Sequence, residues 1–279
     1  MSSRIPHALT TLVAVAGALA PLRAGAAGET TATYELVFNA TWSPDTHPLD
    51  FPGGPHFSGL IGGTHDVRVH FWRPGGIASQ GIEDMAERGR KSPLDAEINA
   101  AIAVGEAEFL VSGGNIAFSP GSRSHTFQVT SSHPLVTIVS MIAPSPDWFV
   151  GVDALPLSAD GVWLPEVVVE LAPFDAGTDS GISYESPDDD TDPHEPIRDL
   201  SDEYPFQGTP PLGTFTFTLV SVDGCAADFN DDGVSDTRDV LDFLNAWTAA
   251  EPAADINADG AINTLDVLAF LDLWNTGCV

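Results

Sequence analysis

Short apolar runs of β-type residues, separated by glycine and proline, dominate residues 27–222. Runs of this length between turn-forming residues are typical of strands. The spacing of the runs predicts a mainly β protein built as a β-sandwich. Helical periodicity is confined in this region to residues 81–90 and to a second stretch near 96–104. The predicted strands are residues 31–41, 67–72, 126–130, 135–142, 162–171 and 213–222.

The pattern changes after residue 222, where one motif occurs twice. Residues 228–239 and 255–266 each form an acidic loop with oxygen-bearing side chains at positions 1, 3, 5 and 12 and glycine at position 6. The same apolar stripe follows each loop, so that Phe243 recurs as Phe270 and Trp247 as Trp274. Because the stripe has helical spacing, it predicts two amphipathic helices packed on each other in a small all-α domain.

The repeated loops point to calcium. Ca²⁺ takes six to eight oxygen ligands, and glycine at the sixth position permits the sharp turn that such a loop needs. A single run of this type is equally typical of a solvated turn, since Asp, Asn and Gly are good turn formers. Two runs in register, each followed by the same stripe, favour the calcium interpretation.

The first 26 residues have the features of a secretory signal. Arg4 is followed by an apolar run over residues 8–22 and by the small residues Ala24, Gly25 and Ala26. A membrane helix is the alternative, but the run is shorter than the ~20 residues that span a bilayer. We therefore expect a secreted, extracellular protein that does not span the membrane, with residues 27–222 as the sandwich domain and 223–279 as the calcium-loop domain.

The charge of the chain limits its partners. Forty Asp and Glu residues against ten Lys and Arg give a formal net charge of −30, and Lys91 is the only lysine. This excess argues against nucleic acid and bare anionic membrane, because both would be repelled. A saline habitat would also account for the acidity. Residues 188–203, which are acidic and lack periodicity, are interpreted as a solvated, linker-like loop without chemistry.

The two cysteines, Cys225 and Cys278, lie on either side of the repeat. In an exported protein this placement predicts one disulfide, which would stabilise the small domain by roughly 4 kcal/mol in the chain-entropy estimate. Two independent buried thiols are the alternative.

Catalysis is the less favoured class of function. His56, His65 and His70 are close in sequence, but their spacing does not match a zinc site. Nucleophile-elbow and phosphate-binding glycine motifs do not occur. Paired carboxylates of a glycosidase are defined by separation in space, so a secreted hydrolase or carbohydrate-active protein stays open as the alternative.

Four segments of residues 34–197 resemble the spondin N-terminal domain. In chain order they are residues 34–38 with Trp42 and Ser43, residues 56–58, residues 144–152 and residues 175–181. The resemblance implies an extracellular, non-catalytic β-sandwich of matrix and adhesion proteins, with a matrix, glycan or lipid surface as its partner. It also implies a calcium ion held by Asp147, Asp175 and Asp179. Members of the family often have Tyr-Pro-Trp where this chain has Ala172-Pro173-Phe174. They also often have cysteines within the domain, whereas this chain has none there.

Residues 225–278 resemble dockerin, a paired calcium-loop module that binds cohesin modules. The resemblance implies a cohesin-like or other protein partner, although a calcium-stabilised stalk or sorting element is the alternative. An exposed apolar patch near Leu265 and Arg238 would favour docking. The implied ligands are Asp228, Asn230, Asp232, Asp236 and Asp239 in the first loop, and Asp255, Asn257, Asp259, Asn263 and Asp266 in the second.

Overall fold

A computed structural model describes residues 30–159, 161–230, 232, 234–257 and 259–276. The predicted signal over residues 1–26 lies outside these ranges, and so does Cys278. The predicted signal and the predicted disulfide are therefore kept as predictions. Within the described ranges, no helix is both long and apolar enough to cross a membrane.

The described residues are mainly β, with helices in two places. The helices are α1 (Gln80–Arg88), α2 (Leu94–Ala103), α3 (Thr237–Ala249) and α4 (Thr264–Thr276), with a short 3-10 turn at Pro252–Ala254. The strands are β1 (Thr31–Ala40), β2 (His56–Phe57), β3 (Ile61–His65), β4 (Ala107–Ser112), β5 (Gly121–Thr130), β6 (Leu135–Ala143), β7 (Trp148–Pro156), β8 (Ser158–Ala159), β9 (Val162–Trp163), β10 (Glu166–Glu170), β11 (Phe174–Asp175), β12 (Arg198–Asp199) and β13 (Gly213–Asp223).

The strands form two main antiparallel sheets. The first has the order β10-β13-β1-β5, and the second has the order β12-β11-β7-β6-β3-β4 with β2 paired to β6. A small hairpin joins β8 to β9. The predicted mainly β class is confirmed, and the two antiparallel sheets are what a β-sandwich requires.

The main core lies between the sheets, where alternate residues of β1 point inward. Tyr34, Leu36 and Phe38 are buried, and they share one core cluster with Phe215 and Phe217 of β13. The residues between them are partly exposed. The period-two pattern therefore comes from a strand with one buried face.

Strand β6 differs because both of its faces are buried. Ile138 belongs to the core between the sheets, whereas Val139 packs with the helices on the outer face of the second sheet. Ile82 of α1 and Ile98 of α2 complete this outer cluster. The continuous apolar run of β6 thus reflects a third, helical layer.

The predicted strand at residues 67–72 is wrong. The strand nearby is β3, which ends at His65, and the next residue, Asp66, accepts a hydrogen bond from the backbone N–H of Arg68 at 2.7 Å. Val67 is 79% exposed in the following turn. Strand propensity does not predict β3, because the strand contains Gly62. A Cβ at this position would lie 1.9 Å from the Thr137 carbonyl oxygen.

Other strand bounds differ less. β5 begins before the predicted 126–130 run, and the predicted 162–171 run is divided into β9 and β10. β4 and β7 were not predicted as strands. The predicted helix at 81–90 is α1, which ends at Gly89 in the left-handed conformation that glycine favours.

The two C-terminal helices occur where the repeat predicts them. Phe243 of α3 stacks on Phe270 of α4 with ring centroids 4.2 Å apart, and Phe229 packs edge-on against both rings. Trp274 also contacts the main core, which includes Cys225. A second, smaller core therefore lies beside the sandwich.

Candidate metal centres

The aspartate centre, which we define as Asp147, Asp175 and Asp179, lies where β7 and β11 meet. Asp175 of β11 pairs with Trp148 at the start of β7, so Asp147 lies beside the turn that follows β11. The Ala176 N–H donates to the Asp147 carbonyl oxygen at 3.1 Å. All three aspartates are buried, with exposures of 0%, 4% and 6%. The fold thus brings together the three residues that the sequence implies.

Only one of the two oxygens of the Asp147 carboxylate accepts hydrogen bonds. Its Oδ2 accepts hydrogen bonds from the backbone N–H groups of Thr178 at 2.7 Å and Asp179 at 3.1 Å. Its Oδ1 is buried and has no hydrogen-bond partner among the described residues. Because an unpaired buried anionic oxygen is costly, this atom fits a site for a cation.

The other two carboxylates hold the turn in shape. Asp175 accepts from the Gly177 N–H and from the Arg198 guanidinium, each at 2.7 Å. Asp179 accepts from the Gly181 N–H at 2.7 Å and from the Asp189 N–H at 3.1 Å. Each of these oxygens retains a second lone pair, so the hydrogen bonds do not prevent it from binding an ion.

The electrostatics of the aspartate centre also favour a cation. Burial and the nearby Asp175 charge raise the pKa of Asp147 to about 7. Burial raises the pKa of Asp175 as well, although the Arg198 charge opposes this rise. A divalent cation would relieve both the desolvation and the mutual repulsion.

The paired loops, residues 228–239 and 255–266, share one hydrogen-bond pattern. At position 12, Asp239 accepts from the N–H groups of Asn230 at 3.2 Å and Asp236 at 2.7 Å. Asp266 accepts from Asn257 at 3.3 Å and Asn263 at 2.7 Å. Both carboxylates are buried. Hydrogen bonds from the Asn263 and Asn257 N–H groups lower the pKa of Asp266, which therefore keeps its charge.

In both loops the side chains at positions 1 and 3 accept hydrogen bonds from the backbone N–H at position 5. The Asp232 N–H donates to Asp228 at 3.1 Å and to the Asn230 side chain at 2.9 Å. The equivalent donor in the second loop is Asp259, with Asp255 and Asn257 as acceptors at the same two distances. The two loops are separate segments of the chain, and they therefore fold in the same way independently.

Position 9 has a different role from the other predicted ligands. The side chains of Asp236 and Asn263 accept from the backbone N–H groups of Arg238 and Leu265, at 2.6 and 2.8 Å. They cap α3 and α4, and Asp239 completes a capping box with Asp236. Sequence reasoning that assigned them to the ion alone missed this second role.

Two exchanged tryptophan contacts join the loops. Trp247 of α3 donates its indole N–H to the Asn263 carbonyl oxygen at 2.8 Å, and Trp274 of α4 donates to the Asp236 carbonyl oxygen at 3.1 Å. Each helix thus holds position 9 of the other loop. The recurrence of tryptophan in the repeat was the available signal.

No three His, Cys, Asp or Glu side chains of the described ranges already converge as they would on a bound metal ion. The ligand sets are therefore predictions, supported by burial and by the unpaired oxygen of Asp147.

Comparison with known proteins gives the family. Residues 32–212, which include the aspartate centre and end before the paired loops, match the family described as Spondin_N. The chain belongs to the Spondin_N family. The protein is secreted and extracellular, as its spondin relatives are.

Spondins of several animals align with the Spondin_N region. Spondin-1 of Rattus norvegicus is 38% identical over 177 residues, which are 61% of this chain and 22% of the relative. Spondin-2 of Rattus norvegicus is 33% identical over 201 residues, which are 67% of this chain and 61% of the relative. Spondin-2 of Homo sapiens is 35% identical over 178 residues, covering 62% and 54%. The chain thus spans about a fifth of Spondin-1.

The interpretation of residues 188–203 as a solvated loop is confirmed in part, since most of these residues are exposed, but the segment is not linker-like. This segment of the Spondin_N region packs onto the aspartate centre, with Thr191 and Glu195 donating backbone N–H groups to the carbonyls of Thr178 and Gly177, each at 2.8 Å. Arg198 pairs with Asp175. The missed signals were Ile197 and Leu200, two isolated apolar residues that are buried, and the single arginine among carboxylates.

The histidines of the Spondin_N region have separate partners. His65 is buried between the Asp66 carbonyl oxygen at 2.7 Å and the Thr137 hydroxyl at 2.8 Å, and burial lowers its pKa. His70 contacts Asp153 at 3.0 Å, and His56 contacts the Gly54 carbonyl oxygen at 2.9 Å. This arrangement agrees with their interpretation as structural residues.

Proposed function

We propose that the protein is a calcium-binding adhesion protein of the matrix type. Its Spondin_N region binds an extracellular surface, and its C-terminal region docks to a protein partner. The observation that carries the proposal is the buried Asp147 Oδ1, which has no hydrogen-bond partner among the described residues and lies in a turn shared with Asp175 and Asp179.

Calcium at the aspartate centre would have a structural role. The centre joins the start of β7, the turn after β11 and residues 188–203 through the contacts of Asp147, Asp179 and Arg198. Ca²⁺ suits oxygen ligands from separate segments because its coordination is flexible. An ion there would fix this edge of the sandwich as a rigid binding surface.

The experiment for the aspartate centre compares wild type with Asp147→Asn. Amide replacement keeps the shape of the side chain but removes the charge that would attract calcium. We expect calcium to raise the melting temperature of the Spondin_N transition in wild type and to raise it much less in the variant. Asp153→Asn, which changes a carboxylate farther along β7, is the matched control. Equal calcium responses in wild type and Asp147→Asn would refute this part of the proposal.

We further propose that residues 223–279 form a dockerin-like calcium domain with the predicted Cys225–Cys278 disulfide. The identical hydrogen-bond patterns of the two loops support it. Each helix also exposes leucines at repeat-related positions, with Leu241 62% and Leu268 63% exposed. Leu244 and Leu271 extend these stripes, and Leu265 adds to the second. Apolar faces that the fold leaves exposed favour docking to a protein partner, cohesin-like in kind, over a stalk.

The docking experiment uses the full secreted chain, a chain that ends near residue 222, and Leu241→Asp/Leu268→Asp. Each is tested for capture of extracellular protein with and without chelator. We expect one partner that is retained only by the full chain with calcium and is lost with the double variant. Capture of the same extracellular proteins by all three would refute docking. Glu251→Gln, a change at an exposed position just after α3, is the matched control.

A further inference from the structure

Two neighbouring clefts lie on the surface of the Spondin_N region, and they share the backbone of Gly113 and Gly114. The first has a volume of about 460 Å³ and the second about 580 Å³. Together we call them the paired clefts. The polar side chains that line them include His56, Lys91, Asn115, Ser122, Arg123 and His125.

The paired clefts are lined by basic side chains, although the chain as a whole is acidic. Among the described residues, no Asp or Glu lines either cleft, although the sequence has forty acidic residues and ten Lys and Arg. Among the described residues, Lys91 and Arg123 have no ion-pair partner. Arg88, which also lines the first cleft, is paired with Asp84 at 2.5 Å. An unpaired cation in each of two adjoining clefts of so acidic a protein indicates a place for an external anion.

The backbone is shaped to hold these two cations. A Cβ at Gly114 would lie 2.4 Å from Nε of Arg123, and a Cβ at Gly59 would lie 2.8 Å from Cε of Lys91. The glycines therefore leave space in which each side chain lies against the backbone. Lys91 is fixed further because its Nζ donates to the Ser112 hydroxyl at 2.8 Å and to the Gly113 carbonyl oxygen at 2.6 Å.

The Lys91 ammonium group has room and reason for a third partner. It carries three N–H donors, and two of them meet Ser112 and Gly113. Burial lowers the pKa of Lys91, and burial together with the Lys91 charge lowers the pKa of His125. An oxyanion bound by Lys91 would offset the cost of burying its charge through a charge-assisted hydrogen bond, and Arg123 of the adjoining cleft offers further donors.

We propose that the paired clefts bind a sulfate or phosphate ester carried by an extracellular glycan. Lys91 and Arg123 bind the ester oxygens, while hydroxyl and amide side chains such as Ser122 and Asn115 bind sugar hydroxyls. The inference deepens the proposed function, on which it rests, because it gives the binding region of the sandwich a class of ligand.

The overall charge selects a sparsely charged glycan over other polyanions. With a formal net charge of −30, the protein repels nucleic acid, anionic membrane and densely sulfated chains beyond the range of the clefts. A single ester is attracted locally, since charges more than about 8 Å apart are largely screened at physiological ionic strength. The combined size of the clefts suits sugar rings that flank the ester.

The experiment is isothermal titration calorimetry on the secreted protein. The probes are a κ-carrageenan tetrasaccharide, the same oligosaccharide after desulfation, and mannose 6-phosphate. We expect at least one ester to bind and the desulfated sugar to bind at least about tenfold more weakly, because a charged hydrogen bond is lost. Binding of the sulfated probe alone, or of the phosphorylated probe alone, supports the proposal and identifies the ester.

Charge-removing variants test the location of the site. Arg123→Gln and Lys91→Gln should each weaken ester binding by roughly ten- to a hundredfold. Arg123 is exposed, so its substitution leaves the core intact. Arg73→Gln removes the same charge outside the paired clefts and should bind as wild type does. Equal weakening in Arg73→Gln and Arg123→Gln, or no ester binding by wild type, would overturn the inference.

Calcium titrations on the same samples separate this inference from the proposed function. If calcium stabilises the protein but neither ester binds, the glycan inference fails and the calcium proposal stands. If an ester binds in a way that depends on Arg123 but calcium has no effect on stability, the calcium proposal fails and the clefts stand.

Discussion

The aspartate centre and the paired loops place similar carboxylates in opposite settings. The aspartate centre draws its residues from β11, the residue before β7 and a turn, and it lies against a large core. Each paired loop is local in sequence and lies beside a small core centred on Phe243 and Phe270. A cation at the aspartate centre would adjust a fold that the core already maintains, whereas the loops have little else to hold them.

The two settings also treat charge differently. Burial raises the pKa of Asp147, whose Oδ1 lacks a hydrogen-bond partner among the described residues. Backbone N–H donors lower the pKa of Asp266, which is equally inaccessible to solvent. Burial and the neighbouring Asp175 charge therefore set the pKa of Asp147, whereas backbone N–H donors set that of Asp266.

The largest expected effect is the loss of the C-terminal helices on chelation. In reduced protein, calcium removal should unfold α3 and α4, because clustered carboxylates repel one another and the core is small. The sandwich should persist. The measurement is far-ultraviolet circular dichroism with and without chelator. A helical signal that the chelator leaves unchanged would show that the loops fold without metal. The proposed difference between the loops and the aspartate centre would then be wrong.

The second effect is a reversal of stability in Asp147→Asn. With calcium a thousandfold above its dissociation constant, the variant should lack about 4 kcal/mol of ligand stabilisation. Without calcium it should be more stable than wild type, because the amide removes a buried charge. Denaturant unfolding in both conditions measures this. A variant that is less stable than wild type in both conditions would mean that the carboxylate is purely structural.

The third effect concerns the exchanged tryptophans. Trp247→Phe and Trp274→Phe each remove one indole hydrogen bond, at a cost of about 1 kcal/mol. Trp274→Phe should cost more, because Trp274 also packs on the sandwich core. Thermal unfolding followed in the helical signal tests the pair. Equal losses would indicate that the small core is independent of the sandwich.

The smallest effect is expected at Arg198, which is partly exposed and pairs with Asp175. Arg198→Gln should change the free energy of unfolding by less than about 1 kcal/mol, as is usual for solvent-screened pairs. Calcium affinity should rise a few-fold, since a cation leaves the neighbourhood of the ion. Calorimetric titration with calcium measures this, with Arg123→Gln, an exposed arginine of β5, as the matched control. Weaker binding in Arg198→Gln would mean that Arg198 positions Asp175 for the ion.

The sequence predicts the elements whose burial follows a simple period. The alternation of β1 and the repeated stripe of α3 and α4 lead to the correct structures. β3 was missed because Gly62 carries no hydrophobic signal, and its need for glycine arises from the distant Thr137. A close approach between remote segments leaves no periodic pattern in the sequence, so it cannot be predicted from one.

The candidate site shows the same limit. Resemblance and a glycine turn brought forward Asp147, Asp175 and Asp179, but the packing of Arg198 and Asp189 against them was missed. These contacts arise because buried Ile197 and Leu200 anchor an otherwise acidic segment. Acidic composition alone favours a solvated loop, and only the tertiary packing overrides it.

The most direct test counts the calcium ions bound per chain by wild type and by Asp147→Asn. Equilibrium dialysis with metal analysis supplies the count, and the C-terminal truncation near residue 222 isolates the aspartate centre. Wild type should bind one ion for each loop and one at the aspartate centre, and Asp147→Asn should lose one ion only. A truncated protein that binds no calcium, or an Asp147→Asn variant that loses none, would contradict the assignment of a calcium site to the Spondin_N region.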